Sequence, residues 1–248
     1  MVRQLFWKEF REIRTYLILS NLLAFLLLAY LSMDRRVPAM VALNLSLLPL
    51  LLPLVRAPVH AVSSWRREWT EHHDLLLLSL PVRGWVLVAA KLTMALLETA
   101  SLCTTIVLCL LLMGRTEQIQ PVLDFLGTGL LLYWSLLLIL LPWLLGTLFL
   151  HILGQVAALV SRITPVFASL AAVVTFLVGL WLLIRGGGTL GLLLGWMPAL
   201  PVYVVALENG VGFSARLHLQ MAPLYGALVV VAGLFWVSVW LVEREIEA

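Results

Sequence analysis

The chain of 248 residues is strongly apolar: 62% of its residues are hydrophobic and 12% are charged, and its mean hydropathy is +1.06. Charged residues make up about a quarter of an ordinary soluble domain, so a water-soluble fold is excluded for most of the chain. The net charge of +3 comes from basic residues near the ends of apolar segments. Such residues orient a membrane protein, and they do not indicate a nucleic-acid partner.

Six apolar segments are long enough to cross a bilayer, whose hydrocarbon core of about 30 Å takes roughly 20 helical residues. The sequence therefore predicts an all-α integral membrane protein with one transmembrane domain over residues 1–248. Its six transmembrane helices are expected at 17–33, 37–62, 85–113, 122–150, 165–184 and 223–242. No room is left for a soluble domain of ordinary size, so any nucleotide-driven chemistry must come from another polypeptide.

Residues 1–16, before the first span, place apolar side chains at helical spacing among charged ones. This pattern is typical of an amphipathic helix in the membrane interface. In the second span, Pro49, Pro53 and Pro58 each remove a backbone donor, so a bent or locally unwound helix is expected there.

The longest concentrated polar stretch follows at 63–84. With the N-terminus in the cytoplasm, this stretch and the other inner segments hold more basic residues than the outer ones. That bias predicts that both termini are cytoplasmic.

Residues 185–222, between spans five and six, contain three consecutive glycines, Pro198 and Pro201, which suit a continuous spanning helix poorly. We interpret this segment as an extracytoplasmic re-entrant hairpin of two short helices. The alternative is that 186–207 crosses the membrane as a seventh span. Two overlapping Gly-x-x-x-Gly repeats predict close helix packing here, with a dimer contact as the sharper alternative; they are formed by Gly187, Gly191 and Gly195.

Three charged residues are the deepest candidates within the predicted spans, where a charge is costly and points to a functional site. They are Arg56, Lys91 and Glu98, and we treat them as possible intramembrane polar sites. A structural role is the alternative, because Lys91 can snorkel to the cytoplasmic interface and Glu98 can pair with Arg56 or Lys91.

Sequence motifs for chemistry are missing from the chain. A Walker phosphate-binding loop ends in Gly-Lys followed by Ser or Thr, and the sequence contains no Gly-Lys pair. We therefore expect no ATP hydrolysis and no catalytic, cofactor-binding or metal-binding residues in this chain. The cluster Glu71, His72, His73 and Asp74 has suitable ligand types for a metal. However, adjacent histidines on a helix point about 100° apart, which favours a solvated interfacial helix.

Four stretches together resemble a known family. They are residues 5–11, Leu76 to Arg83 with Lys91 after it, the Gly- and Pro-containing segment before the last span, and the charged tail from Val242 to Glu245. This arrangement resembles the permease subunit of a type-2 ABC exporter of the ABC-2 superfamily. The resemblance is sequence-specific only over 65–91. It implies that 1–16 is an elbow helix, that 63–84 holds a cytoplasmic coupling helix, and that 185–222 is re-entrant.

The resemblance also implies partners. In such exporters the coupling helix lies in a groove of a separate ATPase subunit, and the implied contact residues are Trp65, Arg66, Arg67, Glu68, Trp69, Glu71 and His72. Two ATPase subunits carrying ATP and Mg²⁺, a second permease of the same or a related chain, and membrane lipids are the expected partners. The implied location is a bacterial inner membrane. The implied substrate is an amphipathic or hydrophobic molecule such as a peptide antibiotic, lipid or drug.

Two other classes of function stay open. One is a polytopic membrane enzyme that acts on lipid-linked substrates through Glu71, His72, His73 and Asp74; it would lose a bound metal when His72 and His73 are changed. The other is an assembly or immunity protein that only binds a partner. It would tolerate loss of every ionisable residue in the spans.

Overall fold

A computed structural model describes residues 2–33, 41, 45–70, 83–113, 130–196, 200–208, 211–219 and 221–247. Six α-helices make up most of this part: α1 (Val2–Met33), α2 (Leu51–Thr70), α3 (Gly84–Met113), α4 (Leu130–Ile163), α5 (Ala168–Leu193) and α6 (Ala222–Glu247). Short 3₁₀ turns at Leu48–Leu50 and Pro165–Phe167 precede α2 and α5, and strands β1 (Leu200–Glu208) and β2 (Val211–Leu219) precede α6. The chain divides into two compact units, unit 1 (Met1–His151) and unit 2 (Ile152–Ala248).

Five of these helices are long and apolar enough to cross a membrane, namely α1, α3, α4, α5 and α6. Each overlaps one of the predicted spans, and the chain is a multi-pass membrane protein. The remaining helix, α2, falls short because Arg56, Arg66, Arg67 and Glu68 lie among its 20 residues. The predicted second span, 37–62, also lies partly outside the described residues.

Helix α1 is uninterrupted over 32 residues, so the prediction of a separate elbow helix at 1–16 was wrong. The reason lies in the sequence, since neither glycine nor proline occurs where a break would be needed. One side of the first turns is buried, at Leu5, Glu9 and Ile13. At 1.5 Å per residue α1 is about 48 Å long, so its charged first turns extend beyond the hydrocarbon core.

The prolines before and within α2 have unequal effects. Pro49 lies in the 3₁₀ turn, where the expected departure from α-helix is found. Pro53 lies in the first turn of α2, where backbone N–H groups have no intrahelical acceptor, and Pro58 is accommodated inside the helix. The helix then continues to Thr70, so 63–70 of the predicted cytoplasmic loop belong to α2. Residues 71–82, which hold the rest of the predicted coupling segment, lie outside the described part.

Two predicted boundaries were wrong. Helix α4 continues through the predicted loop at 151–164 and ends at Ile163. That stretch carries no charge before Arg162 and much of it is buried, and the helix stops just before Thr164 and Pro165, as a following proline requires. Helix α5 likewise continues beyond 184, through the three glycines, to Leu193.

The predicted re-entrant pair of helices in 185–222 was also wrong. Beyond α5 this segment contains an antiparallel hairpin, with Leu200 opposite Leu219 and Glu208 opposite Val211. Valines favour strands. The two residues between the strands are Asn209 and Gly210, a dipeptide strongly preferred in two-residue hairpin loops.

The Gly-x-x-x-Gly repeats serve a contact within unit 2, between α5 and α6. A Cβ on Gly191 would lie 2.8 Å from the Pro223 Cα, and one on Gly187 would lie 3.3 Å from the Ala227 Cα. A Cβ on Gly226 would overlap the Gly187 carbonyl oxygen. Close packing at Gly187 and Gly191 is therefore confirmed, but the partner is α6 and not the second half of a re-entrant hairpin.

Candidate functional site

Three charged side chains meet in the interior of unit 1, where the first turns of α1, the last turns of α2 and the start of α3 come together. Lys91 Nζ donates to Glu68 Oε1 at 2.7 Å and to Glu9 Oε1 at 3.0 Å. The Lys91 and Glu9 side chains are each 1% exposed and that of Glu68 is 4% exposed. We call Glu9, Glu68 and Lys91 the charged junction. Lys91 does not snorkel to the surface, because its charge is matched inside the protein.

Aromatic and weaker ionic contacts surround the charged junction. The Trp65 ring centroid lies 5.1 Å from Lys91 Nζ, and such a cation–π contact gains strength when it is shielded from water. Lys8 Nζ lies 3.3 Å from Glu68 Oε1. The Lys8 side chain is 35% exposed, so water screens this pair in part, and the fully buried contacts of Lys91 contribute more to the link between the three helices.

The electrostatics keep Glu68 ionised. Burial raises the pKa of the Glu68 carboxyl, but the ammonium groups of Lys91 and Lys8 outweigh burial and hold this pKa below its ordinary value. Among the described residues, Glu9 Oε2, Glu68 Oε2 and Trp65 Nε1 have no hydrogen-bond partner. A buried polar network that is only partly satisfied reduces stability.

A second polar contact joins the same three helices, about two turns farther along α1 and α3 from the charged junction. Arg56 of α2 donates to Glu98 of α3, which is one of the two pairings expected for Glu98. The Arg56 guanidinium carbon also lies 3.8 Å from the ring centroid of Tyr16 in α1. Two predicted polar residues thus contact each other, and their charges are balanced.

Uncharged side chains form a third set of contacts, still farther along α1. We call the three sets levels and count them from the charged junction. Asn21 Nδ2 donates to Ser101 Oγ at 3.1 Å, and Thr105 Oγ1 donates to Asn21 Oδ1. These contacts again join α1 to α3.

Two of the three levels join α1 directly to α3. The hydrogen-bonded partners are 82 residues apart in sequence at the charged junction and 80 and 84 residues apart at Asn21, so these two helices run parallel. Helix α2 runs antiparallel to them, because Glu68 meets Lys91 whereas the earlier Arg56 meets Glu98. Along α1, the levels at positions 9, 16 and 21 are separated by about 10 Å and 8 Å. The polar contacts therefore link α1 to α3 over a length of roughly 18 Å, and α2 to both of them over about the first 10 Å.

The part of α4 that belongs to unit 1, which ends at His151, makes further polar contacts within that unit. His151 Nδ1 lies 3.1 Å from the Ala57 carbonyl oxygen, and its ring centroid lies 5.9 Å from that of His60. Thr99 donates to Thr147 at 3.2 Å. These residues were missed by sequence reasoning, as were Glu9, Tyr16 and Asn21.

A signal for Glu9 was present in the sequence. It lies four residues from both Leu5 and Ile13, so it shares their apolar face, where a charge needs a buried partner.

The predicted ATPase-contact residues differ in exposure. Trp65 and Glu68 are buried inside unit 1, and Trp69 is half-buried. Arg66 is exposed, and the Arg67 side chain is 53% exposed and 3.5 Å from Glu12. The remaining two predicted residues, Glu71 and His72, lie outside the described residues. Of the described five, the two arginines and Trp69 are the ones with surface for another protein.

The structure provides no support for a metal centre in the part of the chain that it describes, where no group of three or more potential ligands occurs. The predicted cluster of Glu71, His72, His73 and Asp74 lies outside that part. Comparison with known proteins gives no match: no family model, no curated protein and no solved structure matches the chain.

Proposed function

We propose that the chain is the membrane-spanning permease subunit of an ATP-driven type-2 ABC exporter in a bacterial inner membrane, with both termini cytoplasmic. The observation that carries the proposal is the charged junction. It ties the last turns of α2, just before the predicted contact residues Glu71 and His72, to the first turns of α1 and the start of α3. A force applied by a partner at the end of α2 would therefore act on two membrane helices.

The mechanism follows from the cost of separating buried charges. Removing one partner from a buried ion pair costs about 3–5 kcal/mol, so motion of Glu68 carries Lys91 and Glu9 with it. Arg56 and Glu98 keep the helices in register at the next level. ATP and Mg²⁺ would be held by two partner ATPase subunits, whose closure supplies the force. Two permease subunits would enclose the path of an amphipathic or hydrophobic substrate such as a peptide antibiotic, lipid or drug.

The first experiment is affinity purification of the full chain from its native membrane in mild detergent, followed by mass spectrometry of the bound proteins. We expect an ATPase subunit in near-equal amount, and a second permease if the complex is a heterodimer. If no ATPase is recovered even after mild cross-linking before extraction, the exporter proposal fails. Metal analysis of the His72 and His73 variants would then test the membrane-enzyme alternative.

A pair of exposed arginines provides a sharper test. Arg66→Glu reverses a charge at the end of α2, whereas Arg185→Glu makes the same change at an exposed position of α5, on the predicted opposite side of the membrane. We expect Arg66→Glu to reduce the recovered ATPase at least tenfold and Arg185→Glu to leave it unchanged, with equal insertion of both variants. Equal recovery from both would show that the end of α2 is not the contact.

A further inference from the structure

One exposed face of α1 carries a row of arginines. Positions spaced four, four and three residues apart lie on one side of a helix. The row that we call the basic stripe has this spacing and consists of Arg3, Trp7, Arg11 and Arg14, all exposed. The Arg11 guanidinium carbon lies 5.7 Å from the Trp7 ring centroid. This face lies opposite the buried Leu5, Glu9 and Ile13.

The same face continues as a row of exposed apolar residues. Ile18, Leu22 and Phe25 extend the spacing of the basic stripe, and they are 57%, 52% and 51% exposed. On a helix of spanning character such side chains are covered by acyl chains. The face therefore passes from hydrocarbon depth to headgroup depth between Ile18 and Arg14, and Arg11 lies only about 10 Å along the axis from Ile18.

The charge of the basic stripe has no counterpart along α1. No acidic residue occupies the stripe. The two acids of the first turns are used elsewhere, because Glu9 contacts Lys91 in the charged junction and Glu12 contacts Arg67. Arginine guanidinium groups match phosphate oxygens with two hydrogen bonds, and tryptophan prefers the headgroup region. The stripe thus combines a phosphate-binding group with an interfacial anchor.

We propose that the basic stripe is a binding site for anionic phospholipid headgroups of the leaflet that surrounds the first turns of α1. Bound headgroups fix the depth of α1, and so the depth of the charged junction on its opposite face. The cytoplasmic leaflet, where the N-terminus is predicted to lie, is rich in anionic lipid. The lipid site stands whether or not the chain has an ATPase partner.

The test uses the purified full-length protein in mild detergent and native mass spectrometry. Phosphatidylglycerol and phosphatidylcholine with the same acyl chains are titrated in parallel. The variants are Arg3→Gln/Arg11→Gln/Arg14→Gln and the matched control Arg185→Gln, which removes an exposed arginine from α5. We expect the wild type to prefer phosphatidylglycerol. An arginine near an anionic surface contributes about fivefold, so the triple variant should bind this lipid roughly 100-fold more weakly, with the control unchanged.

Several outcomes would overturn the proposal. They are equal binding of both lipids by the wild type, unchanged binding by the triple variant, and a loss in the Arg185→Gln control as large as that in Arg14→Gln alone, which would indicate a response to total charge. If the triple variant fails to insert, Arg14→Gln alone should bind about fivefold more weakly, and 0.5 M salt should reduce the preference of the wild type. A triple variant that keeps its lipid but loses a co-purifying protein would identify the stripe as a protein contact instead.

Discussion

In unit 1, helices α1, α2 and α3 are joined by ion pairs and hydrogen bonds between side chains, whereas in unit 2 the contact of α5 with α6 is made by glycines. The first contact centres on Lys91 between two carboxylates. The second depends on Gly191 and Gly226, which leave no room for a Cβ between the two helices. Helices α1 and α3, like α5 and α6, are apolar enough to cross a membrane, so hydropathy alone does not distinguish the two kinds of contact.

The difference follows from the solvent. In lipid, apolar side chains gain little from burial against each other, so helices associate through polar contacts or close backbone packing. Because separating buried charges is costly, a partner that pushes on the end of α2 would move α1 and α3 with it, whereas α5 and α6 are held by close backbone contact with each other. We therefore expect the movable part of the protein in unit 1, where the proposed ATPase contact lies, and a static helix pair in unit 2.

The largest effect should come from breaking the charged junction. Lys91→Met leaves Glu9 buried without a cation and leaves Glu68 with only the partly exposed Lys8, and the loss of one partner from a buried ion pair costs about 3–5 kcal/mol. We expect most of the variant to unfold or aggregate on extraction. Reversible unfolding in mixed micelles, or the folded fraction by fluorescence-detected size exclusion, measures this loss.

The matched control removes all three charges together. Replacing a whole buried ion network with uncharged groups is often nearly neutral, so Lys91→Met combined with Glu9→Gln and Glu68→Gln should recover most of the lost stability. If the proposed function holds, this variant inserts normally but transports poorly. A triple variant as unstable as Lys91→Met would mean that packing, and not charge, holds the junction.

The glycine contact should respond to a single methyl group. Gly226→Ala places a Cβ against the backbone of α5, and overpacking of this kind costs about 1–3 kcal/mol. Gly188→Ala is the matched control, because a Cβ there meets no atom within 4 Å and alanine favours the helix. Chemical unfolding of both variants measures the difference. Equal stability would show that α5 and α6 separate easily, and the contrast between the units would disappear.

Length and hydropathy predict where membrane helices occur much better than they predict where those helices end. Length and hydropathy located five helices of spanning character, because the bilayer imposes a length that each helix must meet. The same criterion placed helix ends badly: α4 and α5 continue past the predicted boundaries at 150 and 184. Helix continuation depends on local hydrogen bonding and packing, and hydropathy measures neither.

In the candidate site, too, some residues could be predicted from the sequence and others could not. Arg56, Lys91 and Glu98 were identified because a charge in an apolar run is conspicuous. Glu9 was not, because it lies among other charges and only its buried face distinguishes it. The pairing of Arg56 with Glu98 and of Lys91 with Glu68 depends on the register of three helices, which no single segment encodes.

The smallest effect should come from the uncharged third level. Thr105→Val removes the hydroxyl that donates to Asn21 on α1, whereas Thr104→Val removes an exposed hydroxyl that donates to the Ala100 carbonyl of its own helix. Valine is β-branched like threonine, so helix propensity changes equally in both. Hydrogen bonds between membrane helices contribute about 0.6 kcal/mol on average and at most about 1.7.

We therefore expect Thr105→Val to lower the free energy of unfolding by roughly 0.6 kcal/mol more than Thr104→Val does. If the two variants are equally stable, the contact with Asn21 contributes nothing measurable. The link between α1 and α3 then depends on the charged junction and the contacts of Arg56 with Glu98 and Tyr16. In that case transport should still depend on Lys91 and Arg56, and it should be unaffected by the loss of the Thr105 hydroxyl.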